Sequence, residues 1–148
     1  MEIKNKELSR ITECSSENLV IESCDLHCKV SGANMSNSDF SETNLSGASF
    51  HNGDMRNVKF NLMGMASATF DSVNMVRSKF FDVGMSGTVL KCVDMDRSDM
   101  DGVGMINAII TNSDLTDVTI RGCKINGMTV DGYDVLELIK FYKMNHKN

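Results

Sequence analysis

Every fifth residue from Met35 is apolar: Met35, Phe40, Leu45, Phe50, Met55, Phe60, Met65, Phe70, Met75, Phe80, Met85, Leu90, Met95, Met100, Met105, Ile110, Leu115, Ile120, Ile125 and Val130. Two residues before each sits a small or apolar side chain, among them Ala33, Ala48, Val58, Ala68, Val73, Val93, Ala108, Val118 and Cys123. A period of five fits neither the helix repeat nor plain strand alternation, so the segment reads as a solenoid. In each unit two side chains point inward with one outward between them, a short strand, and the other two residues turn a corner. Four corners close a square coil of about 20 residues, and about six coils make a rod on the order of 28 Å long. Stacking by that step puts Phe40, Phe60 and Phe80 on one wall and Phe50 and Phe70 on the opposite wall, with Met and Leu columns filling between.

The second corner residue is Gly or Asn in many units, including Asn37, Gly47, Asn57, Gly87, Gly102, Asn107 and Gly127. A type II turn needs positive φ there, which Gly and Asn supply cheaply. Glu42, Leu62, Arg77, Arg97 and Asp117 occupy the same slot, and their side chains predict another turn type at those corners.

The pattern divides the chain into an irregular N-terminal cap and partial first coil over 1–32, the solenoid over 33–132, and a C-terminal helix over 133–148. Before Val30 the step from Leu26 is four residues, one short of the period, and the partial coil is read from about Asn18. After Gly132, Asp134 is placed as a helix N-cap with Glu137 positioned to reach back. Val135, Leu138, Ile139 and Tyr142 then form a stripe suited to lie over the last coil. Leu136 and Phe141 widen that arc. They serve either as edge residues against the last coil or, with Leu138 and Tyr142, as contacts of an end-to-end homodimer.

Units such as Ala33-Asn34-Met35-Ser36-Asn37, Ser38-Asp39-Phe40-Ser41-Glu42 and Thr43-Asn44-Leu45-Ser46-Gly47 resemble the pentapeptide-repeat family, with its motif of roughly A-(D/N)-L/F-x-x. The likeness runs through 20 consecutive units, about 100 residues. It implies an all-β fold, a right-handed quadrilateral β-helix, here with a short C-terminal α-helix. It also implies dimerisation through the C-terminal end, as in several members, and for members similar to quinolone-resistance proteins, binding of DNA gyrase or topoisomerase IV as mimics of B-DNA. The heavy use of Met at the central slot departs from the family pattern.

Composition narrows the function. The absence of Pro among 148 residues leaves every N–H free for a continuous ladder. A net charge of −5 argues against nucleic acid as a direct ligand. No apolar run approaches a membrane span, and the first residues lack the apolar segment of a secretory signal. Five cysteines without a C-x-x-C pair fit free thiols in a reducing cytoplasm. Cys28 and Cys123 fall on inward slots, and Cys92 falls on a corner.

Nothing points to catalysis, a metal or a cofactor: His27, His51 and His146 have no acid or thiol at motif spacing, and the glycines follow the turns. The outward slots of the first wall stack Asn34, Asp54, Asn74, Asp94 and Asp114, with Asp96 beside them and Asp99 and Asp101 on the next wall. Asp94, Asp96, Asp99, Asp101 and Asp114 form a candidate acidic face, read either as turn and solubility residues or as an imitation of a phosphate backbone. The third wall carries Asn44, Gly64, Gly84, Gly104 and Lys124, and the fourth Ser49, Thr69, Val89, Ile109 and Thr129. Phe81, Val89, Ile106 and Ile109 form a candidate apolar face. The sequence thus predicts a non-enzymatic protein-interaction solenoid: either a topoisomerase-binding DNA mimic or a scaffold meeting an unknown protein through its apolar and glycine-lined walls.

Overall fold

The structure, a computed structural model, describes residues 2–4, 10–12, 20–22 and 29–146. From Ala33 to Gly132 it is a four-walled β-solenoid of about five turns, and the strands before Ala33 extend two of the walls. The second wall is a parallel ladder of seven strands: Glu2–Lys4, Val20–Glu22, Asp39–Ser41, Lys59–Asn61, Lys79–Phe81, Asp99–Asp101 and Thr119–Arg121. The fourth stacks Arg10–Thr12, Lys29–Ser31, Ser49–His51, Thr69–Asp71, Val89–Lys91, Ile109–Thr111 and Thr129–Val130. The first and third walls are single-residue bridges, Asn34 to Asp54, Asn74, Asp94 and Asp114, and Asn44 to Gly64, Gly84, Gly104 and Lys124.

From Val30 onward each residue pairs with the one twenty places later, as in Phe40↔Phe60↔Phe80↔Met100. Before it the coils are one or two residues shorter, since Ile3 pairs with Ile21, Ile21 with Phe40 and Ile11 with Val30. Strands of the segment read as a cap therefore extend the same two ladders. Asn18, Leu26, His27 and Cys14, Cys24 and Cys28 lie outside the described residues.

The fivefold column is the core. Phe40, Phe50, Phe60, Phe70 and Phe80, with Met35, Leu45, Met55 and Met65, are fully buried. The rings stack coil on coil, with centroids 5.4 Å apart for Phe40–Phe60, 4.8 Å for Phe60–Phe80 and 4.8 Å for Phe50–Phe70. Hydroxyls also enter the core: Ser78, Thr88 and Ser98 are buried two places before the column and donate to the carbonyls of Met55, Met65 and Met75 at 2.8, 2.7 and 2.8 Å. These bonds offset the cost of burying a hydroxyl and lock a side chain to the preceding coil.

The corners do not follow residue type. Glu42, Leu62, Arg77, Arg97 and Asp117 all have positive φ, between 50° and 58°, like Asn37 and Gly47 in equivalent slots. Another turn type is therefore wrong for Arg77, Arg97 and Asp117, which sit in the same closed corners as Asn37 and Gly47, while Glu42 and Leu62 do occupy a different corner, the one after the second wall. The difference lies between walls: corners after the first and third walls are closed by bonds such as Ser78 N–H to Met75 and Ala108 N–H to Met105. The left-handed conformation costs a non-glycine residue about 1–2 kcal/mol. It persists because the ladder fixes it: Leu62 N–H donates to Phe81, Arg77 to Asp96 and Arg97 to Thr116, at 3.0, 2.9 and 2.9 Å. Leu62→Asn, which eases that conformation, should stabilise the protein by up to about 1 kcal/mol in denaturant melts.

At the C-terminal end Asp131 and Gly132 reverse the chain, and Tyr133–Asp134 pairs antiparallel with Thr129–Val130. The helix Val135–Asn145 follows. Asp134 caps it, accepting from Glu137 N–H at 3.0 Å, while the Glu137 carboxylate pairs with Lys140 rather than reaching back. The stripe does not close over the last coil. No helical residue is fully buried, Leu138 and Tyr142 are exposed, and only Val135 packs against the core. Ile120 is consequently 42 % exposed, and an apolar cavity of about 280 Å³ opens among Ile120, Cys123, Ile125, Met128, Val135 and Ile139.

Candidate interaction surface

On the first wall the outward Asp or Asn of each unit is a corner device. Its side-chain oxygen accepts the N–H two residues on: Asn34 from Ser36, Asp54 from Arg56, Asn74 from Val76, Asp94 from Asp96 and Asp114 from Thr116, at 2.8–3.1 Å. Asn44 does the same for Ser46 on the third wall. This is the Asx-turn preference of short polar side chains, repeated once per coil.

The acidic residues do gather. Asp94, Asp96 and Asp114 lie on the first wall and Asp99 and Asp101 on the second, around the corner at Arg97 and Ser98. They are largely countered there: Arg97 pairs with Asp96 at 3.3 Å, and Arg121 with Asp99 at 2.9 Å and Asp101 at 3.7 Å. Asp96 and Asp99 each retain one buried oxygen without a hydrogen-bond partner, which makes them the least satisfied groups of the cluster. One coil pair away, Arg56 grips Asp54 through two guanidinium nitrogens.

The Arg56 side chain holds the Asp54 carboxyl below its ordinary value of 3.8, against the upward push of burial, and bonds from Thr116 lower Asp114 likewise. A carboxyl depressed in the folded state stabilises above its unfolded pKa and loses that contribution as pH falls through the folded one. The Asp54 share should therefore begin to decline as pH falls below about 4 and be gone only below the depressed folded value, and Asp54→Asn should flatten that limb of the stability curve. The corner itself should survive, because Asn34 and Asn74 already serve that column.

The apolar residues divide into two groups. Val89 and Ile109 are direct neighbours on the fourth wall, and Ile106 sits across one corner from Ile109. Phe81 is on the second wall, opposite, with the filled core between, and is 51 % exposed beside the exposed Leu62. The candidate apolar face is therefore Val89, Ile106 and Ile109, with Phe81 belonging to a separate surface. On the third wall Gly64, Gly84 and Gly104 form a bare line. None of the three has positive φ, and a Cβ would reach only ordinary contact at Gly84 and Gly104, 3.9 and 4.0 Å from the nearest atoms. Neither position needs glycine for the fold.

Leu138, Phe141 and Tyr142 stand exposed on the helix and Leu136 half-buried at its start. His146 stacks on Tyr142 at 4.2 Å, and His51 is a half-buried outward residue of the fourth wall. Cys92 is exposed on its corner, while Cys123 is partly buried, and desolvation raises its pKa. Among the described residues no group of three or more His, Cys, Asp or Glu could hold a metal ion. No described helix is long and apolar enough to cross a membrane.

The family model for pentapeptide repeats matches residues 27–61, in eight copies. The chain carries pentapeptide repeats. No curated protein matches it. Among solved structures, this chain is similar to a trypsin-treated form of QnrB1, a plasmid-mediated fluoroquinolone resistance protein, with 16% identity, 95% of this chain and 96% of that one covered, and a TM-score of 0.40. A pentapeptide repeat protein from the Arabidopsis thaliana thylakoid lumen is similar at 18% identity over 69% and 74% of the two chains, TM-score 0.33. HetL from Nostoc sp. strain PCC 7120, involved in heterocyst differentiation regulation, is similar at 13% identity over 89% and 90%, TM-score 0.29.

The Asx role of the first-wall column was readable from its Asp/Asn restriction. The capture of Asp99 and Asp101 by Arg121 was not, because it joins residues a coil apart through a long side chain whose direction the period leaves open.

Proposed function

We propose that this chain is a non-enzymatic interaction module that meets another protein through its third and fourth walls. The observation that carries this is the glycine line. A strand-interior glycine costs roughly 0.5–1 kcal/mol relative to alanine, and Gly84 and Gly104 return nothing to the fold. A bare wall lets a partner backbone approach closely, and Val89, Ile106 and Ile109 supply apolar contact along its edge. Cross-linked partners captured from the source cell by wild-type protein should be lost with Gly84→Arg while the dichroism spectrum is unchanged. Partners retained by Gly84→Arg would remove this wall from the interface.

A second reading is DNA mimicry toward gyrase or topoisomerase IV. What favours it is the gathering of Asp94, Asp96, Asp99, Asp101 and Asp114 around one corner of a rigid rod; Arg97 and Arg121 work against it by dividing the negative field. Purified protein should then inhibit gyrase supercoiling at low salt and lose the effect when Asp94, Asp99 and Asp114 become Asn. Unchanged supercoiling at tens of micromolar would exclude it. On either reading the uncovered helix supports a homodimer joined at the C-terminal ends.

A further inference from the structure

The second wall carries a feature that neither of these readings uses. Lys59 and Lys79 are direct partners in the parallel ladder, so two ammonium-bearing strands stack about 4.8 Å apart with both side chains pointing outward. Like charges placed opposite each other on a sheet face are destabilising. Among the described residues neither lysine makes an ion pair: Asp99, the acid that stacks on Lys79, is held instead by Arg121, and Asp39 stacks on Lys59 without pairing. Two residues along the same strand, Phe81 projects from the same face and is 51 % exposed, with Leu62 beside it. Lys59, Lys79, Asn61 and Phe81 line an open groove of about 220 Å³ together with Phe60 and, at one end, Asp39.

We infer that this groove binds a short acidic peptide segment of a protein partner, one or two carboxylates long, with an apolar side chain next to them. The carboxylates bridge the Lys59 and Lys79 ammonium groups, and the apolar side chain lies on Phe81 and Leu62. The length limit comes from the row itself, which reads Asp39, Lys59, Lys79, Asp99 along the axis. A ligand carrying negative charge beyond the two lysines meets a carboxylate at either end, the two acids being only about three ladder steps apart, on the order of 14 Å. That disfavours nucleic acid and other polyanions. The backbone offers no phosphate cradle either, since the Lys59 and Lys79 N–H groups are bonded to Ser38 and Val58. The groove goes beyond the function proposed above, because it lies on the wall opposite Val89 and Ile109 and names the chemistry of what it takes.

The test is fluorescence anisotropy of the full chain with a labelled peptide, Gly-Leu-Glu-Glu-Phe-Gly, against an otherwise identical peptide carrying six glutamates and against an eight-residue oligothymidine. The two-acid peptide should bind, weaken about tenfold in the double variant Lys59→Gln, Lys79→Gln, and weaken several-fold in Phe81→Ala. It should also bind more tightly than the six-acid peptide, with Asp39→Asn narrowing that difference; simple charge attraction would rank the peptides the other way. Far-ultraviolet dichroism of each variant should match wild type, as these side chains are outward. Binding unchanged in the lysine double variant, no binding at millimolar peptide, or tighter binding of the six-acid peptide or the oligothymidine would overturn the inference. Loss of partner capture in Gly84→Arg leaves this result untouched, so the two proposals fail separately.

Discussion

Phe60→Ala should destabilise the protein by about 3–5 kcal/mol in denaturant melts, the largest single loss expected of any substitution considered. Phe60 is fully buried and is the middle ring of the Phe40–Phe60–Phe80 stack, so truncation removes contacts above and below at once. Two features keep the cavity from closing. The ladder on either side of residue 60 fixes the spacing of coils, and the flanking columns are already filled by buried Met55, Met65 and Val58. Asn61→Ala, one residue away and outward, should stay within about 0.5 kcal/mol. Equal losses at the two positions would mean that residues 60 and 61 do not alternate between core and surface.

Phe141→Glu should turn a sedimenting dimer into a folded monomer. The helix presents Leu138, Phe141, Tyr142 and Met144 to solvent, and the coil beneath it leaves Ile120 open. Apolar surface of that extent on an isolated chain is unfavourable, and a second copy offers a matching one. Phe141 is 64 % exposed and makes no described core contact, so a charge there has little to disturb within one chain. Wild-type protein that sediments as a monomer would leave the helix without this role.

The fold was largely legible because its driving pattern is periodic and redundant. Phe40, Phe60 and Phe80 announce a twenty-residue step that every later coil repeats, and one error of register would put a whole column on the wrong face. The corners were less legible. Leu62 and Arg97 are poor left-handed residues when judged locally, yet the hydrogen bonds of the adjacent coil outweigh that preference. The helix was legible in its start at Asp134 but not in its docking, since an apolar stripe shows that a surface must be covered without showing by what. Phe81 was grouped with Val89 and Ile109 on polarity alone, whereas opposite walls of a filled rod cannot share a surface.

The uncovered end has a further consequence for the order in which the protein comes apart. Each coil touches only its neighbours, so opening proceeds from an end rather than all at once. The stacked phenylalanines are confined to residues 40–80, whereas in the coil from Leu115 to Val130 only Met128 is fully buried among the inward residues. Amide protons should therefore exchange with deuterium in a gradient along the axis: fastest near Ile120 and Ile125, slowest between Phe50 and Phe80. A chain whose C-terminal end is joined to a second copy would lose the fast end of that gradient.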